Sequence, residues 1–129
     1  MIRVYRLNCG SSGAEDAALT EAIRTSRYLE WAETPEEADV FVMTGPARHD
    51  LRIALLRVWR DHIANRAPLV ALGRASIDGQ PFGRGGISEI TEVEAIAKVD
   101  GIAPAPEVIE TALRQAVQMW ERRDQEVRS

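Results

Sequence analysis

A single thiol, two acidic side chains and a glycine–serine turn fall together near the start of the chain, in Cys9-Gly10-Ser11-Ser12-Gly13-Ala14-Glu15-Asp16. Each points to a different chemistry. A cysteine just ahead of a helix can act as a redox sensor, because helix N-terminal N–H groups favour the thiolate. Glu15 and Asp16 oppose an anion there, so an inert thiol is the alternative. A tyrosine-phosphatase-type cysteine needs an arginine six residues on, and that position is Glu15, which excludes the reading. Gly10-Ser11-Ser12-Gly13 has the composition of a phosphate cradle that would take a flavin or another nucleotide. Its plainer reading is a tight turn that requires glycine. His49 and His62 have no Cys, Asp or Glu at metal-ligand spacing and are expected to be solvated or satisfied helix residues. With one cysteine in 129 residues, neither an internal disulfide nor a four-thiolate metal site can be built from this chain.

The elements that position these residues alternate. Ile2–Leu7 is an apolar, β-branched run ending at the Asn8–Gly13 turn, hence strand then loop. From Ala14 to Ser26, Ala18, Leu19, Ala22 and Ile23 recur at helical spacing, with acids in the first turn and Arg24 near the end. Tyr28–Ala32 predicts an edge strand. Thr34-Pro35-Glu36-Glu37 carries a helix-start signature of capping Thr, Pro at the first position and Glu three residues on. Val40-Phe41-Val42-Met43 is apolar throughout, as expected of a strand buried on both faces, and Thr44-Gly45-Pro46 ends it. Asp50–Asn65 is an amphipathic helix with Leu51, Leu55, Val58, Trp59 and His62 or Ile63 along one side. Pro68–Leu72 predicts a buried strand, Gly73–Gly86 a glycine-rich loop, and Ile96–Val99 a last strand. Gly101–Pro106 is a stiff turn before a helix over Glu107–Trp120. Trp59 and Trp120 are expected in the core, and Trp31 at an interface.

Strand–helix alternation implies right-handed crossovers and a parallel sheet of four or five strands with helices on both faces. The expected architecture is a three-layer flavodoxin-like α/β sandwich over residues 1–120, followed by a polar tail over 121–129 that frays. The loops Cys9–Gly13, Thr44–Pro46, Gly73–Gly86 and Gly101–Pro106 all follow strands, so they should gather at the carboxyl edge, where ligands of such sheets bind. Composition narrows the class further. The net charge of −4 gives no basic stripe for nucleic acid, and no stretch has the length and hydropathy of a membrane span. Charges inside the first apolar run exclude a secretory h-region, and a cytoplasmic location is expected.

The four loops resemble those of the small subunit of [NiFe] hydrogenases and the related small iron–sulfur subunit of complex I. Cys9-x-x-Ser12-x-x-Glu15 is similar to that family's opening Cys-x-x-Cys-x-x-Glu. Ala38-Asp39-Val40-Phe41-Val42-Met43-Thr44-Gly45-Pro46 is similar to its Ala-Asp…Thr-Gly-Pro segment. The run from Val70 through Gly73-Arg74-Ala75 to Gly79-Gln80-Pro81-Phe82 resembles the Gly-x-Cys-Ala…Gly-Gly-x-Phe loop. Val99-Asp100-Gly101-Ile102-Ala103-Pro104-Ala105-Pro106-Glu107 resembles Val-Pro-Gly-Cys-Pro-Pro-x-Pro-Glu. The matches keep the family's order and span most of the chain.

In that family, four loop cysteines bind a 4Fe–4S cluster that exchanges electrons with a large catalytic or quinone-binding subunit. Residue by residue, the resemblance keeps Cys9 as the first ligand position and replaces the others with Ser12, Ala75 and Ile102. Loss of the cluster is therefore expected, since alanine and isoleucine carry no donor atom and one thiolate cannot hold a cubane. Arg74 and the bulkier Ile102 are expected to fill or cover the vacated space. Glu15 matches a position discussed in the family as a proton-transfer group, and a first-turn helix acid is the alternative. The resemblance implies a cluster-less structural, assembly or regulatory subunit that meets a hydrogenase-like or complex I-like large subunit. Glu15, Thr44, Gly45, Pro46, Arg74 and Phe82 would face that partner, at or near a membrane complex without spanning it. Self-association through the same edge is open, as is the alternative of an electron-transfer or flavin-binding protein of flavodoxin type.

Overall fold

The computed structural model describes residues 1–11, 13–47, 50–78, 86, 90, 93–101 and 103–128. Five strands form one sheet: β1 (Ile2–Asn8), β2 (Leu29–Trp31), β3 (Val40–Thr44), β4 (Leu69–Leu72) and β5 (Ala97–Val99). Their order is β2-β1-β3-β4-β5, and every pair is parallel. This is the flavodoxin-like order, in which the direction of winding reverses between β1 and β3. The expected edge strand and the expected last strand are both present, one at each margin of the sheet.

The helices are α1 (Ala14–Thr25), α2 (Asp50–Val58), α3 (Arg74–Asp78) and α4 (Pro106–Arg128). A 3-10 turn covers Pro35–Glu37, and one π-helical turn, Trp59–Ile63, follows α2. β3 shows why three layers are needed: all five of its residues are buried, so both faces require cover. Val40 and Val42 join Val4, Val70, Leu72 and Val99 against Leu19 and Ile23 of α1 and Ile109 and Leu113 of α4. Phe41 and Met43 join Leu69 and Ala71 on the opposite face, against Leu55 of α2 and Ile63. Each such side chain contributes roughly 1.5–3 kcal/mol by leaving water. Arg114 of α4 lies with its guanidinium 3.8 Å from the Tyr28 ring centroid, covering part of a half-exposed ring beside edge strand β2.

Four expectations are corrected. The Gly73–Gly86 segment opens with α3 rather than loop, because a five-residue helix is too short to print a period in the sequence. The helix expected over Asp50–Asn65 is interrupted: the Ala64 N–H bonds the Trp59 carbonyl at 2.8 Å, five residues back. The extra residue in that turn lets Leu55 and Ile63 both bury. The helix expected to stop at Trp120 runs to Arg128, carried by strong helix formers and by Arg123, whose guanidinium reaches Glu94 at 3.5 Å. Thr34 does stand at the helix start before Pro35, yet its hydroxyl makes no capping bond.

Trp59 and Trp120 are only partly buried, and Trp31 is 42% exposed on the edge strand. His62 is part-exposed, with 27% of its side chain in solvent, and only one ring nitrogen departs from the expectation. Its Nδ1 is buried without a hydrogen bond, 3.7 Å from Glu36 Oε1. His49 lies outside the described residues. Among the described residues, no helix is long and apolar enough to cross a membrane.

Candidate functional site

The carboxyl ends of β1 and β3, where the winding reverses, are where a ligand of this fold would be sought. The main chain closes that crevice. The Cys9 N–H donates to the Thr44 carbonyl at 2.7 Å, and the Ala47 N–H donates to the Cys9 carbonyl at 2.9 Å. Gly45, with φ +88, lies flat on the first loop. A Cβ there would come within 2.7 Å of the Gly10 carbonyl carbon and 2.8 Å of that of Cys9. Leu51, at the start of α2 and 41% exposed, packs on Gly10 from outside, 3.1 Å from where a Cβ would stand.

The first loop spends its donors internally. Asn8 Oδ1 accepts the N–H groups of Gly10 (3.1 Å) and Ser11 (3.0 Å), and Ser11 Oγ accepts that of Gly13 at 3.0 Å. The Ser11 hydroxyl in turn donates to Glu15 Oε2 at 3.0 Å. A phosphate seated here would have to displace these bonds and face the Glu15 carboxylate, which is 5% exposed. The geometry therefore favours the tight-turn reading of Gly10–Gly13 over the phosphate cradle. Ser12 lies outside the described residues.

Glu15 also joins the first loop to the third. Its side chain fills the space over the α-carbon of Gly73 (φ +91), where a Cβ would meet Oε1 at 2.9 Å and Cδ at 3.1 Å. The third loop is joined to the fourth by main-chain hydrogen bonds. The Gly73 N–H donates to the Val99 carbonyl at 2.7 Å and the Arg74 N–H to that of Gly101 at 2.9 Å. The Arg74 guanidinium grips Asp100 through Nε (3.3 Å) and Nη2 (3.4 Å), and the Gly101 N–H donates to the same carboxylate at 2.7 Å. The Arg74 bond first, and the Gly101 N–H second, hold the Asp100 carboxyl below its usual range. Arg74 thus lies along the exposed edge, joining two loops. Phe82 and Ile102, the latter expected to cover the site, lie outside the described residues.

One polar link runs from this edge into the core. Thr44 Oγ1, fully buried, donates to Asp16 Oδ1 at 2.8 Å, and Arg6 Nη1 lies 3.5 Å from the same oxygen. Replacing Thr44 with Val should destabilise the fold by about 1–2 kcal/mol, because Asp16 loses its buried donor. Thr44→Ser should cost less than half of that, as read from urea midpoints; equal losses for the two would remove the hydroxyl as the cause. Beside it, Ser76 Oγ of α3 donates to the Met43 carbonyl at 3.1 Å.

Cys9 does not face the loops as a ligand would. Its side chain is 4% exposed and belongs to the apolar cluster of Phe41, Met43 and Ala47. Burial first, and Asp16 second, push its thiol up to about 12. A thiol so placed stays protonated and unreactive. The native protein at pH 8 should release no chromophore from a disulfide reagent over a period in which the guanidinium-unfolded chain reacts fully. Fast native labelling would show the thiol to be accessible. Because the folded-state value lies above the unfolded one, the thiol's contribution is fully present below about pH 9 and lost as pH rises towards 12. Wild type should therefore lose stability more steeply over that window than Cys9→Ala.

A 4Fe–4S cluster does not fit these residues. Cys9 is turned into the core, Ala75 at the start of α3 has no donor atom, and Glu15 occupies the space between the first and third loops. Among the described residues, no group of three or more His, Cys, Asp or Glu is placed to hold a metal ion. No protein-family model matches the chain, and no curated protein matches it.

Proposed function

We propose that this chain is a cluster-less interaction subunit, a counterpart of the hydrogenase and complex I small subunit that has kept the docking edge and given up the cofactor. The observation that carries the reading is the stitching of the four loops. The segments that resemble the family come to one sheet edge, and there they meet through the Cys9–Thr44 and Arg74–Gly101 hydrogen bonds and the packing of Glu15 on Gly73. An edge closed by its own main chain suits a rigid docking face better than a redox centre. Exposed apolar side chains accompany it: Leu51 on Gly10, and Ile53, 60% exposed, on the same short helix. The partner is a large subunit of hydrogenase or complex I type, and the role is structural, assembly or regulatory.

The test is purification of the tagged chain from its own cells under anaerobic conditions. The expected product is colourless and carries a stoichiometric large subunit, and Leu51→Asp with Ile53→Asp should release that subunit. Stoichiometric iron, sulfide or flavin in the purified chain would sink the reading. So would recovery of a large subunit unaffected by the two substitutions.

A further inference from the structure

The end of the sheet opposite the loops holds a cavity of about 490 Å3, reached between the π-helical turn and α4. It lies below Leu69, the first residue of β4, and Ile96, the residue before β5, so it shares nothing with the carboxyl edge. Its volume falls in the range of small-molecule sites, and its surface is predominantly apolar with a few polar groups converging on it. Trp59 and Trp120 line it, together with Glu94, Arg123, Asp124 and Asn65.

Two features of the backbone serve this cavity. The π-helical turn, a form seen in well under 1% of residues and enriched at functional sites, begins at Trp59. Asn65, just beyond it, takes a left-handed conformation with φ 62, uncommon for a side-chain-bearing residue. Both Trp59 and Asn65 line the cavity. The second indole, Trp120, comes from α4.

The charges identify the occupant. Among the described residues, two carboxylates and one guanidinium line the cavity, a balance that disfavours an anion. Arg123 already sets a cation beside Trp120 and Glu94, in a solvent-exposed pair with Glu94 whose side chains are 55% and 69% exposed. Its guanidinium lies 5.9 Å from the Trp120 ring centroid and 3.5 Å from Glu94 Oε1, a cation held by an aromatic face and a carboxylate. We propose that this cavity binds a small organic ammonium ion with an aromatic or short apolar body. The ammonium takes the place of the Arg123 guanidinium at Glu94, and the body lies between the two indoles.

The test uses the full chain and two probes of matched shape, 2-phenylethylammonium and phenylacetate, followed through the three indole N–H resonances assigned by Trp→Phe variants. The ammonium should shift the Trp59 and Trp120 resonances saturably below about 10 mM, an ordinary affinity for so small a ligand. Trp31, on the far edge of the sheet, serves as the internal control and should stay still. Arg123→Gln removes the competing cation and should tighten binding about fivefold, whereas Glu94→Gln should weaken it about fivefold. The same spectra report whether each variant is folded. Failure to saturate, equal shifts with phenylacetate, movement of Trp31 alongside the others, or weaker binding in Arg123→Gln would each overturn the assignment.

Discussion

Gly45→Ala should destabilise the protein by about 3–5 kcal/mol, the largest loss expected of any single methyl group added at the loop edge. Two costs add. At φ +88 an alanine is held where side-chain-bearing residues are rarely found, which by itself costs of order 1 kcal/mol or more. The new Cβ would then press on the Ser11 amide nitrogen and on the carbonyl carbons of Gly10 and Cys9. These are main-chain atoms, so no rotamer change relieves the contact. The first loop would have to lift, breaking the Cys9–Thr44 and Ala47–Cys9 bonds that close the crevice. Urea unfolding at constant m-value measures the loss; a change under 1 kcal/mol would mean that the loops do not pack this closely. Nor should any second substitution in a side chain restore the stability, because none causes the clash.

Gly73→Ala is the informative contrast, with an expected loss of about 2–3 kcal/mol. Its φ of +91 carries the same backbone penalty, but the atoms that a Cβ would meet belong to the Glu15 side chain. Glu15 can swing out at the cost of its Ser11 bond. Glu15→Ala in the Gly73→Ala background should therefore recover about 1 kcal/mol, leaving the backbone term. A double-mutant cycle gives the coupling directly. Strict additivity would show that Glu15 does not lie over Gly73.

The fold was legible because its signals are of the kind that sequence carries well. The unbroken run Val40–Met43 demanded cover on both faces, and the strand–helix alternation demanded crossovers, so a parallel three-layer sheet followed. The position of the loops at one edge came with it. What the sequence did not carry is how those loops meet. Nothing in Cys9 says that its sulfur turns into the Phe41 and Met43 layer, since a half-turn of the strand end decides that. Nothing in Glu15 says that it lies on Gly73, because the contact depends on how α1 sits over β4. The glycines did hold a usable clue: Gly45 and Gly73 each follow a strand directly, where close backbone approach is common, and both turned out to be contact points. The cavity at the end of the sheet opposite the loops was harder to foresee. Trp59 and Trp120 fall at helical spacing on their own segments and read as core, and a single extra residue in a helical turn leaves no mark in composition.

The inward turn of the Cys9 sulfur also bears on whether a four-thiolate site could be engineered into this sheet edge. Cysteines introduced into the other loops would supply the count of thiols, yet the sulfur of Cys9 would still face the apolar layer. Bringing the fourth sulfur out would mean peeling the last residues of β1 away from β3 and reopening packed hydrocarbon to water. The barrier is thus one of threading at the margin of the sheet, and point substitution alone does not cross it.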